Sequence, residues 1–172
     1  MRYHLLTFDL DGTLVDTASE IAEAANRTLA DFSLPRQPAA DITRLIGRGT
    51  RELMLALLRQ ARADLDAEQV LARFDRHYGD TTGTEARVYD GCLDGLQRLR
   101  EAGLRLACVT NKAVDFTLPL LEQIAALEEI LGDDKVMTRL ISGELAPDRA
   151  IATGVVEVLR GLGWDVRVCD PP

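Results

Sequence analysis

The chain has 172 residues, 47% of them hydrophobic, enough apolar material for one good core with a small appended domain. Its 28 acidic against 20 basic residues give a formal charge of -8, which repels a nucleic-acid backbone and an anionic membrane surface and excludes both as expected partners. Cys92, Cys108 and Cys169 form no CxxC pair, no segment is apolar for long enough to span a membrane, and the N-terminal apolar run is too short for a signal peptide. A cytoplasmic protein with buried thiols is expected.

In chain order, Tyr3 to Phe8 is a short apolar run closed by the acidic turn Asp9 to Gly12, as expected for a strand covered on both faces. Thr17 with Glu20 fits a capping box that opens a helix to about Phe32, and Leu34 to Pro38 breaks it. A short helix ends near Gly47, and another starts at Thr50 with Leu53, Met54, Leu57, Leu58 and Ala61 at helical spacing. Asp66 and Gln69 fit the cap of a helix that carries Val70, Leu71, Phe74 and Tyr78 and stops at Gly79. A helix from Cys92 to Ala102 then precedes a buried strand, Leu104 to Val109. The remaining expectations are a helix from Val114 to Ile124 containing Pro119, a short strand at Glu129 to Leu131, a helix from Arg149 to Arg160 and a strand from Trp164 to Cys169.

Strands alternating with helices predict an α/β fold, a Rossmann-like parallel sheet with right-handed crossovers. The stretch from 16 to 83 holds no strand pattern and reads as an inserted all-helical domain, with residues 1-15 and 84-172 forming the α/β core. Ligands of such sheets sit outside the carboxyl ends of the strands. Asp9 and Thr110 both occupy that position, so two polar clusters distant in sequence are expected to meet.

The first cluster, LLTFDLDGTLVDT, ends a strand with carboxylates at i and i+2, then a glycine and a hydroxyl. A phosphate monoester resists hydrolysis because a dianion repels its attacker, so a catalyst must neutralise charge and position a nucleophile. One carboxylate that also binds magnesium can attack phosphorus, while a second protonates the departing oxygen and then activates water. Asp9 and Asp11 are the pair available. The second cluster, ACVTNKA at 107–113, places a hydroxyl, an amide and a cation where a strand meets a helix, and backbone N–H groups at such a turn can hold a phosphate oxygen.

The run from Asp9 to Thr13 matches the DxDGT signature of the haloacid dehalogenase superfamily, and IGRGTREL, FDRHYG, VYDG and VTNKAVDFTLPLLE resemble its phosphoglycolate phosphatase branch over about residues 3–134. That resemblance implies that Asp9 is nucleophile and magnesium ligand, and that Asp11 is acid and base with its carbonyl on the metal. It also implies that Gly12 and Thr13 shape the turn beside the phosphate, and that Thr110 and Asn111 hold a phosphate oxygen. The expected substrate is a small phosphorylated metabolite, 2-phosphoglycolate, hydrolysed to glycolate and phosphate through an aspartyl phosphate. The helical insertion is then a cap. Within it Arg44, Arg48, Arg51 and His77 can each offer a cation to a substrate carboxylate, and the glycines around Arg48 favour Arg48 and Arg51.

Asp11 separates the chain from dehalogenases, which need no leaving-group acid there, and the absence of lysine from 16 to 83 separates it from relatives that form a Schiff base in the cap. Hexose-phosphate mutases share both carboxylates and stay as an alternative. The family's Lys-Pro pair is replaced here: Arg139 stands at the lysine position and Leu140 at the proline. Asp170, at the tip of WDVRVCDPP, is the candidate for the third acidic metal ligand. Loss of resemblance near residue 135 suits a frameshift, chimaera or truncation, leaves the core incomplete at its C-terminal end, and makes a catalytically impaired homologue the runner-up reading. Oligomeric state is not legible.

Overall fold

The computed structural model describes residues 5–47, 49–110, 112–131 and 137–138, so the expected helix at 149–160 and strand at 164–169 lie outside the described residues. Strand β1 is Leu5–Phe8 and β2 is Val15–Asp16; four helices follow, α1 Ala18–Asp31, α2 Ala39–Thr43, α3 Thr50–Ala61 and α4 Ala67–Thr81. The chain then runs through β3 Arg87–Val88, α5 Cys92–Glu101, β4 Arg105–Thr110, α6 Val114–Gln123, α7 Ala125–Leu131 and β5 Met137–Thr138.

Among the described residues the main sheet has the order β1-β4-β5 and every pairing is parallel. Leu5 pairs with Arg105 and Phe8 with Cys108, while Val109 and Thr110 pair with Met137 and Thr138. Leu106, Ala107 and Cys108 are buried in β4, as befits a strand with neighbours on both sides. A second, two-stranded ribbon pairs Val15 with Val88 and Asp16 with Arg87 in antiparallel register, binding together the segments that enter and leave the helical block.

The two regions have separate cores. Ile21, Leu29, Ile42, Met54, Leu57 and Phe74 cluster inside the helical block, whereas Leu10, Val15, Leu96, Leu106, Leu120 and Leu127 cluster against the sheet. In α3 the buried residues Leu53, Met54, Leu57 and Leu58 follow the one-face spacing of an amphipathic helix. Helix α4 starts as the sequence predicts, with the Asp66 side chain accepting the Gln69 N–H at 2.9 Å.

Three expectations change. Helix α4 continues through Gly79 to Thr81, because buried Tyr78 and Thr81 flank a glycine whose helical penalty is only about 1 kcal/mol. Glu129 to Leu131 belongs to α7, where Leu127 and Ile130 pack on the sheet-side core at helical spacing. The capping box at Thr17 and Glu20 does not form: Thr17 flanks α1 but makes no side-chain cap bond, its hydroxyl turning back to Asp11, while the Glu20 carboxylate binds the distant Gly83 N–H. No described helix is long and apolar enough to cross a membrane.

Candidate active site

The turn after β1 is built on the buried Leu10, whose carbonyl accepts the N–H groups of Thr13 at 3.2 Å and of Leu14 and Val15 at 3.0 Å. Gly12 stands at φ +76°, a left-handed conformation that glycine adopts without a Cβ penalty, and donates its N–H to the Val15 carbonyl at 2.8 Å. This tight turn brings Asp9 and Asp11 to the carboxyl end of β1. Thr110 reaches the same edge at the end of β4, since Phe8 and Cys108 are register partners.

Asp9 Oδ1 accepts the Leu10 N–H at 2.8 Å, and the Thr110 side chain hydrogen-bonds the same carboxylate. Burial raises the Asp9 pKa above its usual value, against the opposing pull of the Leu10 N–H and Thr110. Asp11 Oδ1 accepts the Thr17 hydroxyl at 2.7 Å and lies 3.2 Å from Lys112 Nζ, with Oδ2 at 3.5 Å from the same nitrogen.

Lys112 is the residue that the sequence reading left without a role. Its side chain is 2% exposed, its Nζ hydrogen-bonds the Tyr78 hydroxyl from α4, and it stands 4.5 Å from the centre of the Tyr78 ring. Burial lowers the Lys112 pKa and the Asp11 carboxylate opposes that shift. The backbone fixes the residue from both sides, its N–H donating to Thr110 Oγ1 at 3.2 Å and its carbonyl accepting the Thr117 hydroxyl at 3.3 Å. The available signal was its place directly after Thr110 and Asn111, and its being one of only two lysines.

A cavity lies where the two regions face each other. Asp9, Asp11, Thr110 and Lys112 line it from the core, and Ile46, Gly47, Gly49, Thr50, Leu53 and Tyr78 line it from the helical block. Of the other candidates, Gly12 and Thr13 contribute the turn, while Arg48, Asn111, Arg139 and Asp170 lie outside the described residues. Arg51 is exposed, pairs with Glu68 at 2.6 Å and is not among the cavity-lining residues. Arg44 pairs with Asp41 at 2.8 Å, and His77 Nε2 meets Asp31 Oδ2 at 2.8 Å.

Among the described residues no three acidic, histidine or cysteine side chains cluster as a metal site. The turn nevertheless offers two hard oxygen donors: the Asp9 carboxylate, and the Asp11 carbonyl, which stays out of the hydrogen bonds between Gly12 N and Val15 O and between Val15 N and Leu10 O. A small octahedral dication that keeps several waters fits this donor set.

Two carboxylates on one strand-end turn, facing a hydroxyl on the neighbouring strand end, agree with the family to which the chain belongs, the haloacid dehalogenase-like hydrolases, whose family model matches residues 3–165. Among its relatives, the plasmid phosphoglycolate phosphatase of Cupriavidus necator is 48% identical over 115 residues, which cover 66% of this chain and 50% of that protein. The phosphoglycolate phosphatase of Nitrosospira multiformis is 41% identical over 127 residues, 70% of this chain and 55% of that one. The crystal structure of a predicted phosphoglycolate phosphatase from Haemophilus somnus superposes with a TM-score of 0.70 at 25% identity, covering 95% of this chain and 73% of the other. The chain thus spans about half the length of these curated relatives.

Proposed function

We propose that this chain is a phosphatase for a small phosphate monoester, 2-phosphoglycolate, releasing glycolate and phosphate. The observation that carries the reading is the convergence of Asp9, Asp11 and Thr110 at the carboxyl ends of adjacent parallel strands, on one cavity with the buried cation of Lys112. Relatives named for this activity support it.

In this reading Asp9 attacks phosphorus and is left as an aspartyl phosphate, while the ester oxygen departs with a proton from Asp11; Asp11 then takes a proton from the water that hydrolyses the intermediate. Thr110 orients the Asp9 carboxylate and holds a phosphate oxygen, with Asn111 beside it. Asp9 and the Asp11 carbonyl would hold magnesium, with Asp170 as a third ligand; when bound, the ion neutralises phosphoryl charge. Arg139 adds a cation to the phosphate.

Residues 16-83 act as the cap on a core of 1-15 and 84-172, excluding water and reading the organic half of the substrate. Ile46, Leu53 and Tyr78 favour a small organic group, and Arg48, between two cavity-lining glycines, pairs with its carboxylate. The protein works in the cytoplasm on a free metabolite, without nucleic acid or membrane.

The test is phosphate release from 2-phosphoglycolate in magnesium and in excess chelator, with hexose phosphates as the mutase control. Magnesium-dependent release that disappears in Asp9→Asn supports the reading; release in chelator or in purified Asp9→Asn overturns it. Arg139 and Leu140 at the family's Lys-Pro position favour a slower enzyme than its relatives, since arginine keeps the charge without the compact ammonium geometry. A rate equal to theirs would dismiss that second reading.

A further inference from the structure

The strongest unassigned feature is a chain of three buried or half-buried polar groups running from the helical block to the acid of the site: Tyr78 hydroxyl, Lys112 ammonium, Asp11 carboxylate. Tyr78 is 1% exposed on α4, packed between the rings of Phe74 and Phe116 at centroid distances of 5.4 and 4.8 Å. Its hydroxyl position is therefore set by packing. Lys112 has four rotatable side-chain bonds and needs such a partner to stay in one place.

Both donors to Asp11 favour the same oxygen, although Lys112 also makes a longer hydrogen bond to the other. Thr17 Oγ1 lies 2.7 Å from Oδ1 and Lys112 Nζ 3.2 Å from it, against 3.5 Å from Nζ to Oδ2. Oδ1 thus takes the two shorter bonds, and Oδ2, with only the longer contact to Lys112, is the oxygen assigned the exchangeable proton. We infer that Tyr78 and Lys112 are positioning residues for Asp11: Tyr78 holds Lys112, and Lys112 fixes the carboxyl rotation that presents Oδ2 to the leaving oxygen. The inference rests on the phosphatase reading. In the step it serves, an Asp9 oxygen bonds to phosphorus, the phosphorus–ester oxygen bond breaks with its electron pair on the departing oxygen, and that oxygen takes the proton from Asp11 Oδ2. The helical block then contributes a hydroxyl to the orientation of a core residue, so the chemistry depends on how α4 is seated.

A positioning role predicts a dependence on the leaving group that simple loss of stability does not. Glycolate must leave with a proton, whereas p-nitrophenolate leaves without one. First-turnover rates in magnesium should fall on the order of tenfold to a hundredfold for 2-phosphoglycolate in Tyr78→Phe and in Lys112→Met. The first release of p-nitrophenol from its phosphate ester should slow by far less in the same proteins, and the doubly substituted protein should be no slower than Lys112→Met. Equal losses on both esters, or losses that multiply in the double variant, overturn the inference and leave the phosphatase reading standing. No turnover of either ester by the unsubstituted chain ends both. A second measurement bears on the contact itself: with 13C-labelled lysine the chain shows only two lysine spin systems, and Tyr78→Phe must move the one that Lys112→Met removes. An unmoved signal overturns the inference.

Discussion

The Glu20 carboxylate accepts the Gly83 backbone N–H at 3.1 Å, and its second oxygen accepts that of Glu85 at 3.3 Å, so one side chain in the first turn of α1 ties down the segment that leaves the helical block. The residue is 2% exposed. Glu20→Ala leaves both N–H groups without their acceptor and should destabilise the fold by about 1–3 kcal/mol. Glu20→Gln keeps one acceptor oxygen, points an amide N–H at the other donor, and should fall between. Burial is the largest influence on Glu20 and raises its pKa above the usual 4.5, although the two N–H groups pull it down. The folded protein therefore holds this proton more tightly than the unfolded chain, and the group's contribution to stability falls as pH rises from about 4.5 through the folded value. Denaturant titrations across that window should show a shallower fall in Glu20→Gln than in the unsubstituted protein, the remainder coming from Asp9 and Asp75, whose pKa values burial also raises.

Gly83 is required by its backbone as well as by Glu20. It stands at φ +80°, and a Cβ there would come within 2.2 Å of Gln123 Oε1 and 2.5 Å of its Cδ. The glutamine is exposed and can swing away, so the lasting penalty is the left-handed backbone, about 1–2 kcal/mol for a residue with a side chain. Gly83→Ala should lower stability by that amount, and most of the loss should persist with Gln123→Ala added. Recovery of the whole loss in the double variant would mean that the glutamine, not φ, sets the penalty.

What could be read from the sequence, and what could not, divides along sequence separation. The placement of Asp9 and Thr110 at neighbouring strand ends was legible because each closes a short apolar run, with Asp11 two residues on in the turn, and the parallel register places those run ends side by side. The helices with one apolar face, α3 and α4, were legible for the same local reason. Thr17 and Glu20 looked like a capping box because their spacing is local, yet Thr17 serves Asp11 and Glu20 serves Gly83 and Glu85, across a fold boundary that no pattern encodes. Lys112 was visible as a cation beside Thr110, but its partners Asp11 and Tyr78 lie 101 and 34 residues away. Helical propensity outweighed the strand reading of 129–131 once Leu127 had a core to enter.

Cys108 should be chemically silent. It is fully buried in β4 beside Phe8, and burial, with smaller contributions from the negative charges of Asp9 and Asp11, pushes its thiol up to about 12. At neutral pH almost none is thiolate, the reactive form. In a timed reaction with a disulfide reagent followed by peptide mapping, the half-buried Cys92 should label well before Cys108, which should label only on unfolding. Early labelling of Cys108 would show that the end of β4 opens in the native state.

Asp9→Asn should separate activity from stability in opposite directions. In the proposed phosphatase mechanism Asp9 is the nucleophile, a role an amide cannot fill, so turnover should drop by on the order of a thousandfold or more, whatever the substrate. As a folded residue, however, Asp9 has its pKa raised above 3.8, first by burial and further by the charge of Asp11, against the Leu10 N–H, Thr110 and Lys112, which act the other way. The folded chain thus binds the Asp9 proton more tightly than the unfolded chain, and without metal its stability falls as pH rises from about 3.8 through the folded value. Asparagine has no proton to lose, still offers a carbonyl oxygen to the Leu10 N–H, and avoids a second negative charge on the turn. In excess chelator at pH 7 the Asp9→Asn protein should therefore melt at a higher temperature than the unsubstituted one, and the gap should close as the pH is brought below 3.8. Added magnesium should raise the melting temperature of the unsubstituted protein and have little effect on Asp9→Asn, because the ion relieves the charge that the substitution removes. A lower melting temperature for Asp9→Asn in chelator at pH 7 would mean that the carboxylate's hydrogen bonds to Leu10 and Thr110 outweigh its burial.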